Sequence, residues 1–62
     1  MVKEEKMTLT VEEMAERLGI SRSVAYQLVR ENGFPVIRVS ERRLIIPIKS
    51  LEKWLEERAR LV

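Results

Sequence analysis

Apolar positions change their period twice along this chain. Val11, Met14, Ala15 and Leu18 recur at three- and four-residue steps, and Val24, Ala25, Leu28 and Val29 follow after a break at Gly19-Ile20. That spacing puts each set on one helical face. It predicts helices over residues 11–18 and 22–31. The period then shortens. Val36-Ile37-Arg38-Val39 and Leu44-Ile45-Ile46 are rich in β-branched side chains, and polar Ser40-Glu41-Arg42-Arg43 separates them. Two such runs with a short polar connection predict a β-hairpin. Helical spacing returns in Ile48, Leu51, Leu55 and Ala59, with Trp54 at the edge of the stripe, and predicts a third helix over residues 47–60. The expected order is α-α-β-β-α, mainly α with a small β-hairpin. A lone hairpin is unstable in water, so this one must pack on the helices.

Boundary residues agree with that division. Thr10 and Glu13 have the spacing of a capping box, and Leu9 and Met14 fit the hydrophobic staple across it. Gly19 suits the left-handed residue that ends a helix. Ile20 then plugs the corner, and Ser21 caps the next helix through its hydroxyl. Ala15 is small enough to let the second helix come close. Asn32-Gly33 marks the end of the second helix, and Pro47 suits the first turn of the third, where its missing N–H is not needed. Arg58 and Arg60 fall in the last turn, where positive charge suits the helix dipole. Met7-Thr8-Leu9 is expected to be an extended lead-in, with Leu9 under the first helix. Residues 1–7 read as a charged tail and residues 8–62 as the folded domain.

Composition narrows the chemistry. A chain of 62 residues makes one small, marginally stable domain. Hydrophobic residues make up 45% and charged residues 35%, a globular balance rather than a disordered one. No apolar run nears the roughly 20 residues that span a bilayer. The charged start argues against a secretory signal, so the expected location is cytoplasmic. Cysteine and histidine are absent, which excludes disulfides and thiolate or imidazole metal sites and removes the commonest nucleophile–base pairs. An enzyme is not expected, nor is any cofactor.

The net charge of +2 is small, but its distribution is uneven. Residues 1–19 hold five Glu against three Lys or Arg, whereas residues 20–43 hold five Arg against two Glu. Arginine makes planar, forked contacts to phosphates and guanine edges. The bland alternative is a solvated surface of scattered charge.

Two capped helices around a glycine turn, with a polar outer face on the second, form a helix-turn-helix pattern. That outer face carries Ser21, Arg22, Ser23, Tyr26, Gln27 and Arg30. Such a helix enters the major groove of double-stranded DNA. Arg22 suits a guanine edge and Gln27 an adenine edge. Ser21 and Ser23 suit phosphates or bases, and Tyr26 and Arg30 suit phosphates. Arg42 and Arg43 at the hairpin tip, with Arg38 nearby, would form a basic wing on phosphates or in the adjacent minor groove. Competing structural roles are salt bridges of Arg22 and Arg30 to Glu16 or Glu31, burial of Tyr26 against the first helix, and an ordinary solvated turn at residues 40–43. Trp54 is expected in the core. Leu61 and Val62 prolong the last helix's apolar pattern, which would suit dimerisation or docking on a larger protein.

These residues, from Leu9-Thr10-Val11-Glu12-Glu13 through Gly19-Ile20-Ser21-Arg22-Ser23-Val24-Ala25-Tyr26, then Phe34-Pro35-Val36-Ile37-Arg38-Val39, Ile46-Pro47 and Leu51-Glu52-Lys53-Trp54-Leu55, resemble the excisionase-type family of small winged helix-turn-helix proteins, related to the DNA-binding domains of MerR-like regulators. The resemblance runs from about residue 8 to residue 59. It implies a helix-turn-helix, a two-stranded wing and a closing helix. It also implies DNA contacts from Ser21, Arg22, Ser23, Tyr26 and Gln27 and from Arg42 and Arg43 of the wing. The family includes recombination directionality factors of mobile elements, which bend DNA beside an integrase or recombinase, and small transcriptional regulators. A homodimer or a cooperative assembly on DNA would fit so small a module. The chain departs from the family at the wing turn, where Ser40-Glu41 stand in place of a familiar glycine and basic residue.

Overall fold

The capping box at Thr10 starts the first helix as its spacing requires. A computed structural model describes residues 7–60. In it, the Thr10 Oγ1 accepts from the Glu13 N–H at 3.0 Å, and the Thr10 N–H donates to Glu13 Oε1 at 3.0 Å. Helix α1 spans Val11–Leu18. Gly19 ends it with φ at 71°. There the Gly19 N–H donates to the Glu16 carbonyl at 3.3 Å and the Ile20 N–H to the Ala15 carbonyl at 3.0 Å. That pair of bonds is a Schellman motif, which satisfies carbonyls a helix end leaves open. Ser21 then caps α2, Arg22–Val29, by accepting from the Val24 N–H at 3.2 Å.

The hairpin forms β2, Ile37–Ser40, and β3, Arg43–Pro47, in antiparallel register. Residues 8 and 9 add what the sequence pattern did not disclose: a third strand. This β1, Thr8–Leu9, pairs antiparallel with β3, so the sheet order is β1-β3-β2. A two-residue strand has no periodicity to read. Helix α3, Ile48–Arg60, closes the chain. After the short β1, three helices and a small antiparallel hairpin follow in the order α-α-β-β-α, a winged helix-turn-helix.

One core joins these elements. Leu9, Val11, Met14, Ala15, Ala25, Phe34, Ile46 and Leu51 are buried together, and Met14 and Ile46 are fully enclosed. Burying a side chain of that size contributes about 1.5–3 kcal/mol. Leu9 and Met14, the staple pair, both belong to this cluster. Ala15 of α1 and Ala25 of α2 are both buried in this cluster, and their small side chains allow the helices to come close. Trp54 packs on the cluster, edge-on to Phe34 with ring centroids 4.9 Å apart.

Several expectations need correction. Val24 is 42% exposed rather than inward. Helical residues step by about 100°, so Val24 falls at the rim of a face centred between Ala25, Leu28 and Val29. The second helix stops at Val29, with Arg30 as its cap, two residues early, and a turn carries the chain to Gly33 at φ 88°. Val36 precedes β2 rather than opening it. Pro47 ends β3 instead of starting the helix. The next residue makes the bond proline lacks: the Ile48 N–H donates to the Met7 carbonyl at 2.9 Å. In α3, Leu51 is buried but Leu55 is 37% exposed and Ala59 lies open, because the helix outruns the core. The charged segment 1–6 and the apolar pair Leu61 and Val62 lie outside the described residues.

Candidate nucleic-acid interface

Capping by Ser21 aims the start of α2 outward. Ser21, Arg22, Ser23, Gln27 and Arg30 are all exposed, whereas Tyr26 is half-buried against the core. Ser21 spends one lone pair of its hydroxyl on the cap, and the rest of that group remains open to solvent. Leu28, Val29 and Ala25 hold the opposite side of the helix.

The hairpin lies beside this face. Glu41 and Arg42 form its turn, and Arg38, Arg42 and Arg43 are exposed around it. Two-residue hairpin turns favour positive φ at their central positions, which is why glycine and asparagine dominate them. No non-glycine residue among those described has positive φ, so this turn is not of that kind. A register shift between Arg38 and Ser40 accompanies it. The pairing steps from Arg38↔Leu44 to Ser40↔Arg43, leaving Val39 as the extra residue of a bulge. Bulges increase the local twist and re-aim the strand end.

Helix and wing enclose a shared cleft. Tyr26 of α2 and the cap residue Arg30 line one side; Arg38, Glu41 and Arg42 of the hairpin line the other. Val29, Val36 and Leu44 form its floor. A second, adjoining notch brings Tyr26 together with Arg42 and Arg43, and with Thr10 and Glu12 of the α1 start. Three cationic side chains therefore border one cleft, in which Glu41 is the opposing charge. Among the described residues, Arg30, Arg38, Arg42 and Arg43 have no ion-pair partner.

A model described as a helix-turn-helix domain matches residues 8–59. The chain belongs to that family. Neither a curated protein nor a solved structure matches it with significance. Membership fits the Gly19 corner and the outward α2 face, and it points to DNA as the ligand of this helix-turn-helix unit. No helix among the described residues is long and apolar enough to cross a membrane.

Neither of the expected competing ion pairs forms. Arg22 Nη2 donates to Glu12 Oε2 at 3.2 Å, not to Glu16 or Glu31. Glu31 pairs instead with Arg58, whose guanidinium also lies 4.8 Å from the centre of the Trp54 ring. Those contacts tie the far end of α3 to the end of α2. The residue that sequence reasoning passed over is Glu12. Its Oε2 also accepts from the Tyr26 hydroxyl, at 3.1 Å. Spacing gave no signal for it: Glu13 turns back to the cap, but which side of α1 meets α2 is set by how the two helices cross. The Glu12 carboxyl sits below its ordinary value of 4.5. Its own backbone N–H is the largest cause, the Tyr26 hydroxyl next and Arg22 after that, with desolvation opposing them.

Proposed function

We propose that this chain binds double-stranded DNA sequence-specifically, with α2 in the major groove and the basic wing on the neighbouring backbone. What supports the reading best is the cleft between α2 and the wing, bordered by Arg30, Arg38 and Arg42. It is concave, basic and open, as a track for a phosphate strand must be. Arg22 and Gln27 read base edges, Ser21 and Ser23 hold phosphates or bases at the helix start, Tyr26 meets the DNA between helix and wing, and Arg30, Arg38, Arg42 and Arg43 follow the backbone and fix the register. The reading is of a binding module without catalysis, acting in the cytoplasm.

The finer role we propose is that of an excisionase-like recombination directionality factor, acting beside an integrase or recombinase of a mobile element. The sequence resemblance over residues 8–59 supports this role. One small module buries only about 600–1,000 Å² on DNA. Tight binding then requires a homodimer, cooperative neighbours on the DNA or the recombinase itself. A transcriptional regulator of the same fold would share the interface. The neighbouring genes discriminate the two roles: an adjacent integrase gene would favour excision.

Salt titration of duplex binding tests the interface. If Arg30, Arg38, Arg42 and Arg43 each neutralise one phosphate, log affinity falls against log salt with a slope of about −3.6, a loss of roughly 150-fold between 50 and 200 mM. The double variant Arg42→Ala, Arg43→Ala should flatten that slope by about 1.8 across all sequences. Arg22→Ala should weaken a preferred site by about 1–3 kcal/mol and relax discrimination at one base pair. Affinity unchanged in both variants would overturn the reading.

A further inference from the structure

The notch beside α2 is not uniformly basic. Arg42 and Arg43 stand on its wing side, and Glu12 stands opposite them at the start of α1. One oxygen of that carboxylate receives both Arg22 and Tyr26, two of the side chains assigned to DNA. Nothing in the fold requires this. Glu12 is exposed, and the cap at Thr10 is made by Glu13.

Building on the DNA-binding reading, we propose that Glu12 is a discrimination residue of the interface, which weakens binding that relies on phosphates alone and aims Arg22 and Tyr26 at base edges. The argument follows from donor counts. A tyrosine hydroxyl has one proton. While it donates to Glu12, Tyr26 presents only lone pairs outward, and these repel a phosphate oxygen but accept from a base amino group. An arginine has five N–H donors in a rigid fork. With Nη2 on Glu12, Arg22 keeps donors for a guanine edge and is held in one orientation. A duplex of the wrong sequence offers only phosphates. To donate to one, Tyr26 must abandon Glu12 and Arg22 must swing out of the orientation in which Glu12 holds it, and the carboxylate they expose repels the same phosphate. A duplex of the right sequence repays the arrangement through base contacts that leave the Glu12 network standing.

The test uses the full chain and two labelled duplexes of equal length and composition. One is enriched from a random pool by the wild-type chain; the other is its scrambled sequence. Affinities are measured by fluorescence anisotropy at 50 and 200 mM salt. Glu12→Gln removes the charge and keeps the shape; Glu12→Ala removes the group. Both should bind the scrambled duplex about three- to tenfold more tightly at 50 mM, with a salt slope steeper by about one. The ratio of selected to scrambled affinity should fall at least threefold. Scrambled-duplex affinity that stays level or drops, or a ratio that does not fall, would overturn the proposal. A wild-type chain that binds neither duplex overturns the DNA-binding reading itself. A wild-type chain that selects a duplex, with variants that keep its ratio, overturns the role of Glu12 alone.

Discussion

The helix-turn-helix half and the wing are built on different principles. From Thr10 to Ala25, each boundary is fixed by bonds between residues three to five apart: the Thr10–Glu13 box, the Gly19 corner and the Ser21 cap. The wing has no such local devices. Its turn carries no glycine, its register slips at Val39, and every residue of β2 is exposed, including Ile37 at 48% and Val39 at 57%. It is held through β3, whose Ile46 is fully enclosed and whose end pairs with β1. Helix α2 therefore stands on a locally determined frame, whereas the wing depends on contacts distant in sequence. A locally fixed helix suits base reading, which demands exact placement. A wing held at its root and open at its tip suits backbone contact, which tolerates adjustment.

The sharpest way to break this contrast is to remove one enclosed side chain from each half. Met14→Ala empties the helix-turn-helix side and Ile46→Ala the root of the wing. Each should lower unfolding free energy by about 2–5 kcal/mol, a large share of the stability of a domain this small. Denaturant titration followed by circular dichroism measures both. Because Met14 and Ile46 lie in one cluster, both variants should unfold in a single transition. If Ile46→Ala instead released the hairpin while the helical signal persisted, the two halves would be independent units.

A smaller effect isolates the local device. Gly19→Ala should cost about 1–2 kcal/mol, the penalty of a left-handed backbone for a residue with a Cβ. No clash with the rest of the fold adds to it, since beyond the local backbone nothing lies within 4 Å of where that Cβ would be. Thermal melting reads the loss. A neutral result would mean that the corner relaxes, and the claim of a rigidly placed α2 would fail.

The same contrast explains what could be read from the chain. Helix α1 follows the apolar spacing to the residue because Thr10 and Gly19 fix both ends. The wing was legible as two β-branched runs, but its register was not, since Val39 becomes the extra residue only once Glu41 and Arg42 adopt a turn without positive φ. Strand β1 was legible only as an extended lead-in, because its pairing with β3 joins residues almost 40 apart. The exposed position of Leu55 depends on where the core ends, which spacing does not tell. At the candidate interface, residue types carry the reading of which side chains suit DNA, and the binding measurements decide it. The hold of Glu12 on Arg22 and Tyr26 was hidden, since it depends on how α1 and α2 cross.

That crossing also carries the smallest expected effect, and it sets the sign of an acid response. Glu12 has a lowered pKa in the folded chain, chiefly from its own backbone N–H and then from Tyr26 and Arg22. A carboxyl whose folded value lies below its unfolded value contributes stability above the unfolded value, and that contribution fades as pH falls toward the folded one. The contribution should therefore be whole above about pH 4.5 and decline below it. The pair is exposed and solvent-screened, so the shift in melting temperature should be slight. Melting curves of wild type and Glu12→Gln taken between pH 3 and 7 should lie apart at neutral pH and converge in acid. Curves that stay parallel down to pH 3 would show that the contact between α1 and α2 does not depend on the Glu12 charge. Local backbone geometry alone would then fix α2.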